Sequence, residues 1–272
     1  MSVEPVGHAR ETTPREHSTE CGNRGDEVDG IAKSKFDAKL GLTYVEVNDE
    51  PNHVESFKND YVRVYMATIA AGSKTLYHRH SENTLYVTIE GGIQHIDLPG
   101  SQKERSVGLQ RSLKTCTKIA WAIRRLVVGT INLPTSTILM QYHRNFPIIH
   151  CVCASATNAQ PMKLLGIEVF PRVIQRNGIP LDTSGLELDY SDEEISVYRI
   201  RLDAGNALGR RAITGPSLLV MISGHGRLKW GVGVASSFAL GAGNVRWLGA
   251  SEELNLANAG LDKLAALLVV IN

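Results

Sequence analysis

The chain lacks the sequence features of membrane, secreted and nucleic-acid-binding proteins. It has 272 residues, and no apolar run approaches the roughly 20 residues that a membrane-spanning helix needs. The N-terminus has neither the basic start nor the apolar segment of a secretory signal. The 29 basic and 28 acidic residues are scattered and give a net charge of +1, so nucleic acid is not an expected partner. These absences favour a cytoplasmic protein with no membrane association.

Cysteine is scarce as well. Cys21, Cys116, Cys151 and Cys153 are too few and too unevenly spaced for a disulfide framework. The Cys-x-Cys pair at 151 and 153 leaves two interpretations open, a metal site and two small buried side chains. Hydrophobic residues make up 43% of the chain, which is typical of a globular protein with one large or two ordinary domains.

One segment, between Gly72 and Gly91, carries the strongest functional signal. It contains His78-Arg79-His80, and residues two apart on a β-strand project from the same face. Both imidazoles therefore point one way while Arg79 points the other way. Paired imidazoles suit a transition metal, and two hydrogen-bonded core histidines are the alternative at this point.

The segment resembles the first motif of the cupin superfamily, which sets His-x-His and then an acid between two glycines. Five residues separate Gly72 from His78, and six separate Thr84 from Gly91, so the glycine frame fits. Thr84 stands where the motif has its acid, and the nearest carboxylate is Glu82.

A second cupin motif supplies one more histidine from a later strand, after a proline and a glycine. The segment Phe-Pro-Ile-Ile-His offers Pro147 and His150 in that order, without the glycine. The resemblance thus implies a metal site formed by His78, His80 and His150, with Glu82 as a candidate fourth ligand. It implies a divalent transition metal, with iron(II) favoured and manganese, zinc or nickel as alternatives.

The chain also repeats itself at an offset of 133 residues. Residues 62–72 (VRVYMATIAAG) align with residues 195–205 (ISVYRIRLDAG), and the match continues without a gap to Gly91 and Gly224. Such a repeat predicts two copies of one structural unit. Short segments rich in β-branched residues, with Gly, Pro, Asn or Asp between them, predict strands in both copies.

The second copy lacks the histidines of the first. His78 aligns with Arg211 and His80 with Ile213, while Glu253 falls about where His150 lies. The second copy is therefore expected to bind no metal, and a packing role or a small anion held by Arg211 remains open.

Together, these patterns predict an all-β fold of two tandem jelly-roll barrels of the cupin type. Residues 1–36, which are polar and of mixed charge, form a disordered tail in this prediction. The first barrel spans residues 37–170 and the degenerate second barrel spans residues 171–272. The first copy has about 30 extra residues near positions 100–140, for which a lid, an interface element and an irregular loop are all open.

Other candidate residues carry weaker signals. Tyr86 and Thr88 share the parity of Thr84 on the return strand, and alternation alone leaves open whether they line the cavity or face out. His95, His143 and His225 are interpreted as surface or hydrogen-bonded histidines.

The resemblance favours a metal-dependent enzyme acting on a small organic molecule, of the non-haem iron dioxygenase type. The alternative is a non-catalytic bicupin that binds a small molecule or has a structural or regulatory role, which the absent acid and glycine favour. No catalytic residue is assigned at this stage, the partner is a small-molecule substrate or ligand, and a homodimer is left open.

Overall fold

The computed structural model describes residues 33–99, 129–171, 186–213, 215–230, 236–249 and 253–272. Nearly all of the expected N-terminal tail and residues 100–128 of the expected insertion lie outside these ranges. The described part consists of strands and turns, with one turn of 3-10 helix at Val47–Asp49 and no α-helix. Within it, no helix has the length and apolar character needed to cross a membrane.

Eleven strands before residue 171 form the first barrel. Most are short, and buried residues alternate with more exposed ones along several of them, as expected for a sheet with one covered face. They are β1 (Lys35–Asp37), β2 (Leu42–Glu46), β3 (His53–Lys58), β4 (Val62–Ile69), β5 (His78–His80), β6 (Asn83–Glu90), β7 (Gly92–Asp97), β8 (Gly129–Leu133), β9 (Ile138–Gln141), β10 (Ile148–Ala154) and β11 (Met162–Val169).

These strands form two facing sheets. The six-stranded sheet has the order β1-β2-β5-β10-β7-β8, and the five-stranded sheet has the order β3-β4-β11-β6-β9. Neighbouring strands are antiparallel, except that β2 and β5 are parallel. One apolar core lies between the sheets and includes side chains of β4, β7 and β10.

Nine further strands form the second barrel and repeat this order. They are β12 (Glu187–Ser191), β13 (Ile195–Leu202), β14 (Arg211–Ala212), β15 (Ser217–Ser223), β16 (Gly226–Trp230), β17 (Ser236–Leu240), β18 (Val245–Leu248), β19 (Glu253–Asn258) and β20 (Leu264–Ile271). Their sheets run β12-β13-β20-β15-β18 and β14-β19-β16-β17. The prediction of an all-β chain with two barrels of one topology is confirmed.

The repeat extends to backbone geometry at a turn. Gly72 and Gly205, which the sequence alignment pairs, both have φ of +76°, in the left-handed region that favours glycine. The division between the barrels near Pro171 stays a prediction, because residues 172–185, between β11 and β12, lie outside the described ranges.

A second apolar core joins the two barrels, and a third fills the second barrel. The joining core draws on both five-stranded sheets and includes Leu85, Ile167, Leu218 and Val269, each fully buried. On β6, Leu85 belongs to this joining core while Tyr86 belongs to the core of the first barrel. Both faces of β6 are therefore covered, so every residue of this strand except Glu90 is buried.

Residues 129–141, at the C-terminal end of the region where the insertion is expected, form two strands of the first barrel. Strand β8 pairs with β7 and β9 pairs with β6, and both have counterparts in the second barrel, β17 and β18. Residues 129–141 are therefore part of the first barrel, and the insertion of about 30 residues near positions 100–140, with its lid hypothesis, stays a prediction about residues outside the described ranges.

Candidate metal centre

Strands β5 and β10 bring the three expected histidines together. Because alternate residues of β5 face the same way, His78 and His80 both point inward, and each is 1% exposed. Strand β10 runs antiparallel to β5 with His150 directly opposite His78. Side chains that are opposite across two strands lie side by side, so the imidazole of His150 joins the pair.

The three rings form one compact cluster. The Nε2 atoms of His78 and His150 lie 3.0 Å apart. The ring centre of His80 lies 4.9 Å from the ring centres of both His78 and His150. Nδ1 of His78 lies 2.8 Å from the carbonyl oxygen of Leu76, so with Nδ1–H as the donor the Nε2 lone pair faces the cluster.

A fourth histidine, which the sequence analysis missed, stands in the same cluster. His53 begins β3, and its ring centre lies 4.7 Å from that of His78. One potential ligand atom from each of His53, His78 and His80 lies within 4.8 Å of the others. His53 belongs to neither motif, so only the pairing of β3 with β4, which sets His53 opposite Ala67, reveals its position.

The partner of His53 is a buried carboxylate. Nδ1 of His53 forms a short hydrogen bond with Glu50, whose side chain is completely buried. Burial alone would raise the pKa of the Glu50 carboxyl, but the interactions with His53 and the hydrogen bond from Asn52 outweigh burial and lower this pKa below its usual value. Glu50 therefore remains ionised at neutral pH.

His143 is the fifth histidine at the site and is buried, with 3% exposure. Its ring centre lies 5.2 Å from that of His80, and its Nε2 lies 3.0 Å from Oε1 of Gln141. Of the two interpretations in the sequence analysis, the hydrogen-bonded one holds for His143. His95, which lies 3.2 Å through Nδ1 from the Thr130 hydroxyl, is also hydrogen-bonded.

Glu82 does not join the histidines, which corrects its assignment as a candidate fourth ligand. Its carboxylate accepts a hydrogen bond of 3.2 Å from Nε of Arg144, and its side chain is 31% exposed. Arg144 also pairs with Glu194 of the second barrel. Glu82 lies in the turn between β5 and β6, and its side chain points away from the cavity and forms a partly exposed ion pair with Arg144.

A small cavity of about 40 Å³ adjoins the histidines. Since one water molecule needs about 10–15 Å³ measured in this way, the space holds roughly three waters. Four of the histidines line it together with Tyr86, two amides and an apolar wall, and the full lining is His53, Ala67, Ile69, His78, His80, Tyr86, Gln94, Ile96, Leu133, Leu139, Gln141, His150, Val152 and Leu164.

Burial keeps four of these histidines, His78, His80, His143 and His150, uncharged. It lowers the pKa of His78 to about 3, with the nearby His53 adding to the effect, and it also lowers the pKa of His143 to about 3. Burial and the neighbouring imidazoles lower the pKa values of His80 and His150 well below the usual value. At neutral pH these rings are neutral and their lone pairs are available.

The donor set fits a transition-metal ion. Imidazole nitrogens bind such ions at about 2.1 Å, so two nitrogens at a right angle around one ion are about 3.0 Å apart. The separation of Nε2 in His78 from Nε2 in His150 has this value. Nδ1 of His78 contacts the backbone carbonyl of Leu76, and Nδ1 of His53 contacts the carboxylate of Glu50. Carbonyl and carboxylate groups are the partners that orient metal-binding imidazoles in proteins.

Solved structures with a similar fold include several cupins. AerE from Microcystis aeruginosa has 9% identity over 82% of this chain and 98% of its own, with a TM-score of 0.47. Oxalate decarboxylase from Lactobacillus farciminis, as a formate complex, has 12% identity over 79% of this chain and 78% of its own, with a TM-score of 0.49. A cupin 2 conserved barrel domain protein from Leptotrichia buccalis has 11% identity over 81% and 88% of the two chains, with a TM-score of 0.44.

No protein-family model and no curated protein matches the chain. The architecture is decided by the chain itself, because both halves have the same strand order and the first half holds an inward-facing histidine pair on β5. The chain thus consists of two β-barrels of one topology.

The second barrel has no counterpart of the histidine cluster in its described part. Arg211 and Ile213 take the places of His78 and His80, and Ile213 is packed in the apolar core of this barrel. Arg211 pairs with Leu254 as His78 pairs with His150, and Leu254 is fully buried. The earlier alignment of Glu253 with His150 was thus wrong by one residue, because the register is set by strand pairing.

Two tyrosines adjoin the histidine cluster. Tyr86 lines the cavity, and its hydroxyl lies 3.2 Å from Nδ1 of His80 and 3.4 Å from the hydroxyl of Tyr65. This settles the open parity of β6: Tyr86 faces the cavity. Burial raises the pKa of both phenols, so both stay protonated at neutral pH and can donate hydrogen bonds.

The Cys-x-Cys pair lies on β10, next to His150. Cys151 is buried, and its Sγ lies 3.9 Å from Sγ of Cys153. Neither thiol belongs to the cluster of potential metal ligands formed by His53, His78 and His80.

Proposed function

We propose that the first barrel binds one divalent transition-metal ion through His78, His80 and His150. The observation that carries this proposal is the convergence of three buried, uncharged imidazoles from β5 and β10, with Nε2 of His78 and Nε2 of His150 only 3.0 Å apart. With Nδ1–H of His78 donating to Leu76, Nε2 of His78 is an acceptor, and in the tautomer of His150 that carries its hydrogen on Nδ1 a second lone pair faces it. A shared cation satisfies both.

We further propose that the chain is a metal-dependent cupin enzyme of the non-haem iron dioxygenase type, acting on a small organic molecule. Iron(II) is the favoured metal, and manganese, zinc and nickel are the alternatives, since imidazole ligands suit several of these ions. A bound ion of this kind supplies Lewis-acid and redox chemistry to a substrate in the cavity.

The other residues of the cavity support this role. Apolar side chains, among them Ile69, Leu139 and Val152, keep bulk water from most of the wall. The protonated phenol of Tyr86 lies within hydrogen-bonding distance of His80, and its side chain lines the cavity. From there the hydroxyl can donate a hydrogen bond to an oxygen of a substrate. The small volume of the cavity restricts the substrate to a few non-hydrogen atoms unless neighbouring side chains move.

A second candidate function is non-catalytic binding of a small ligand. The same volume, about 40 Å³, favours it, because little space remains beside a hydrated ion. The two candidates share the metal site and differ in whether a substrate reacts there.

The experiment that tests metal binding is elemental analysis of the full chain, purified without affinity nickel or chelator. We expect about one transition-metal ion per chain, and we expect His78→Ala and His150→Ala to lose it, because each removes a nitrogen from the closest pair. Arg211→Ala, at the position equivalent to His78 in the second barrel, is the matched control and should keep the wild-type content.

Equal metal content in wild type and His78→Ala, or no metal after reconstitution with iron(II), manganese, zinc or nickel, would refute the proposed site. If metal is bound, oxygen consumption with a panel of small organic substrates distinguishes the dioxygenase from the binding protein.

A further inference from the structure

His53 lies outside both sequence motifs, and its ring is held in a defined orientation. Its Nδ1 is hydrogen-bonded to Glu50, and within the described residues its Nε2 makes no hydrogen bond. The ring centre lies 4.7 Å from His78 and 6.3 Å from His80, which places it at the edge of the cluster formed by β5 and β10.

Besides the hydrogen bond with His53, the carboxylate of Glu50 has three further hydrogen bonds that hold it in place. Its carboxylate accepts hydrogen bonds from the backbone N of Asn52 at 2.8 Å, from Nδ2 of Asn52 at 3.0 Å and from the backbone N of Leu76 at 3.2 Å. Leu76 also provides the carbonyl oxygen that contacts Nδ1 of His78. One buried carboxylate thus joins the segment before β3 to the segment that orients His78.

We propose that His53 is a fourth ligand of the metal ion and that Glu50 is the positioning residue that directs it. This inference rests on the proposed metal binding at His78, His80 and His150. With its hydrogen on Nδ1, shared with Glu50, the His53 ring presents the lone pair of Nε2 to the cluster. Carboxylate partners of this kind fix the ring orientation and make the other nitrogen a better ligand.

The hydrogen-bonded pair of Glu50 and His53 also supplies an acidic group to a site that has no acidic ligand on β6. Thr84 stands where the motif has its acid, and its hydroxyl donates to the backbone oxygen of Glu82. The carboxyl group of Glu50 lies one imidazole away from the cluster, through its hydrogen bond with Nδ1 of His53. The site thus has an acidic side chain in the segment before β3 instead of on β6.

The test is a titration of the metal-free full chain with cobalt(II), followed by its visible absorption bands. The variants are His53→Asn, Glu50→Gln and His78→Ala, with Glu168→Gln as the matched control. Asparagine can still donate a hydrogen bond to Glu50 but has no atom in place of Nε2. Glu168 is an equally buried carboxylate that pairs with Arg63 and, within the described residues, forms no hydrogen bond with the histidines.

We expect His53→Asn and Glu50→Gln each to weaken cobalt binding by about 10- to 100-fold, as changes to ligands and their outer partners do. His53→Asn should also shift the absorption bands of bound cobalt, because the ion has lost one nitrogen ligand. A merely structural role for His53 would not move these bands. Glu168→Gln should bind cobalt like the wild type.

Two results would overturn the inference. Unchanged bands and affinity in His53→Asn, together with loss of binding in His78→Ala, would remove His53 from the site and leave the proposed function intact. Wild-type affinity in Glu50→Gln would remove the positioning role. If Glu50→Gln does not fold, the bands of His53→Asn still decide the ligand, and Glu50→Asp, which keeps the charge but shortens the side chain, replaces it with the same expectation. Failure of wild type to bind cobalt would refute the proposed function itself.

Discussion

At the scale of single residues, the charge state of the histidine cluster is decided by burial. Solvent would protonate an imidazole with an ordinary pKa near 6.5 in mildly acidic solution, but the barrel interior penalises the charged form. The pKa values of His78 and His143 fall to about 3, and those of His80 and His150 fall well below the usual value. Uncharged nitrogens are what a metal ion requires.

The same shifts predict how the stability of the metal-free protein depends on pH. The unfolded chain binds more protons than the folded chain between about pH 6.5 and pH 3, so the free energy of unfolding is fully retained above pH 6.5 and falls as the solution is acidified through this window. Each histidine adds up to about 1.4 kcal/mol per pH unit. Urea unfolding of chelator-treated protein from pH 7 to pH 4 measures the slope.

His143→Asn is the control for this prediction. It removes one of the four shifted imidazoles, so the slope should become shallower by about one proton per unfolding event. An identical slope in wild type and His143→Asn would show that His143 is not buried in its neutral form.

At the scale of strands, one glycine lets two tyrosines approach the metal centre. Gly166 on β11 lies between Tyr65 of β4 and Tyr86 of β6, and it is paired with both. A Cβ atom at this position would overlap the ring of Tyr65. The absence of a side chain on β11 thus creates the space in which the two hydroxyls lie 3.4 Å apart.

Gly166→Ala is therefore expected to destabilise the protein by about 1–3 kcal/mol, because the buried Tyr65 ring has to shift in a packed core. Thermal or urea unfolding measures the loss. Gly241→Ala is the matched control, since nothing lies within 4 Å of its added Cβ and its φ is not positive. Equal stability of Gly166→Ala and wild type would show that Tyr65 moves freely.

At the scale of the whole molecule, the two barrels share a core. The five-stranded sheets face each other and contribute jointly to one cluster, which includes Leu85 and Leu218. At its edge, the ring of Trp247 stacks on Phe57 at 6.0 Å and on Tyr61 at 5.4 Å. The first barrel therefore depends on the second for burial of one face of β6, which carries Tyr86.

Leu218→Ala should destabilise both barrels, although it lies in the second. The cost is about 2–5 kcal/mol, as for other buried leucines. Native-state hydrogen exchange read by mass spectrometry should show faster exchange in β6 and β11 as well as in β15. Leu219→Ala is the control, because Leu219 belongs to the core inside the second barrel.

In that control, the faster exchange should be concentrated in the second barrel. Wild-type protection of β6 in Leu218→Ala would mean that the first barrel is stable without the shared core.

The sequence by itself determined the repeat, the all-β architecture and the direction of His78 and His80. These properties depend on local geometry, because a strand turns alternate side chains to opposite faces whatever lies around it. The tertiary structure alone decided that His53 and Glu50 reach the cluster, that Glu82 turns to Arg144, and that Leu254 takes the place of His150. Each of these depends on which strands pair and in which register, and register is set by contacts between residues far apart in the chain.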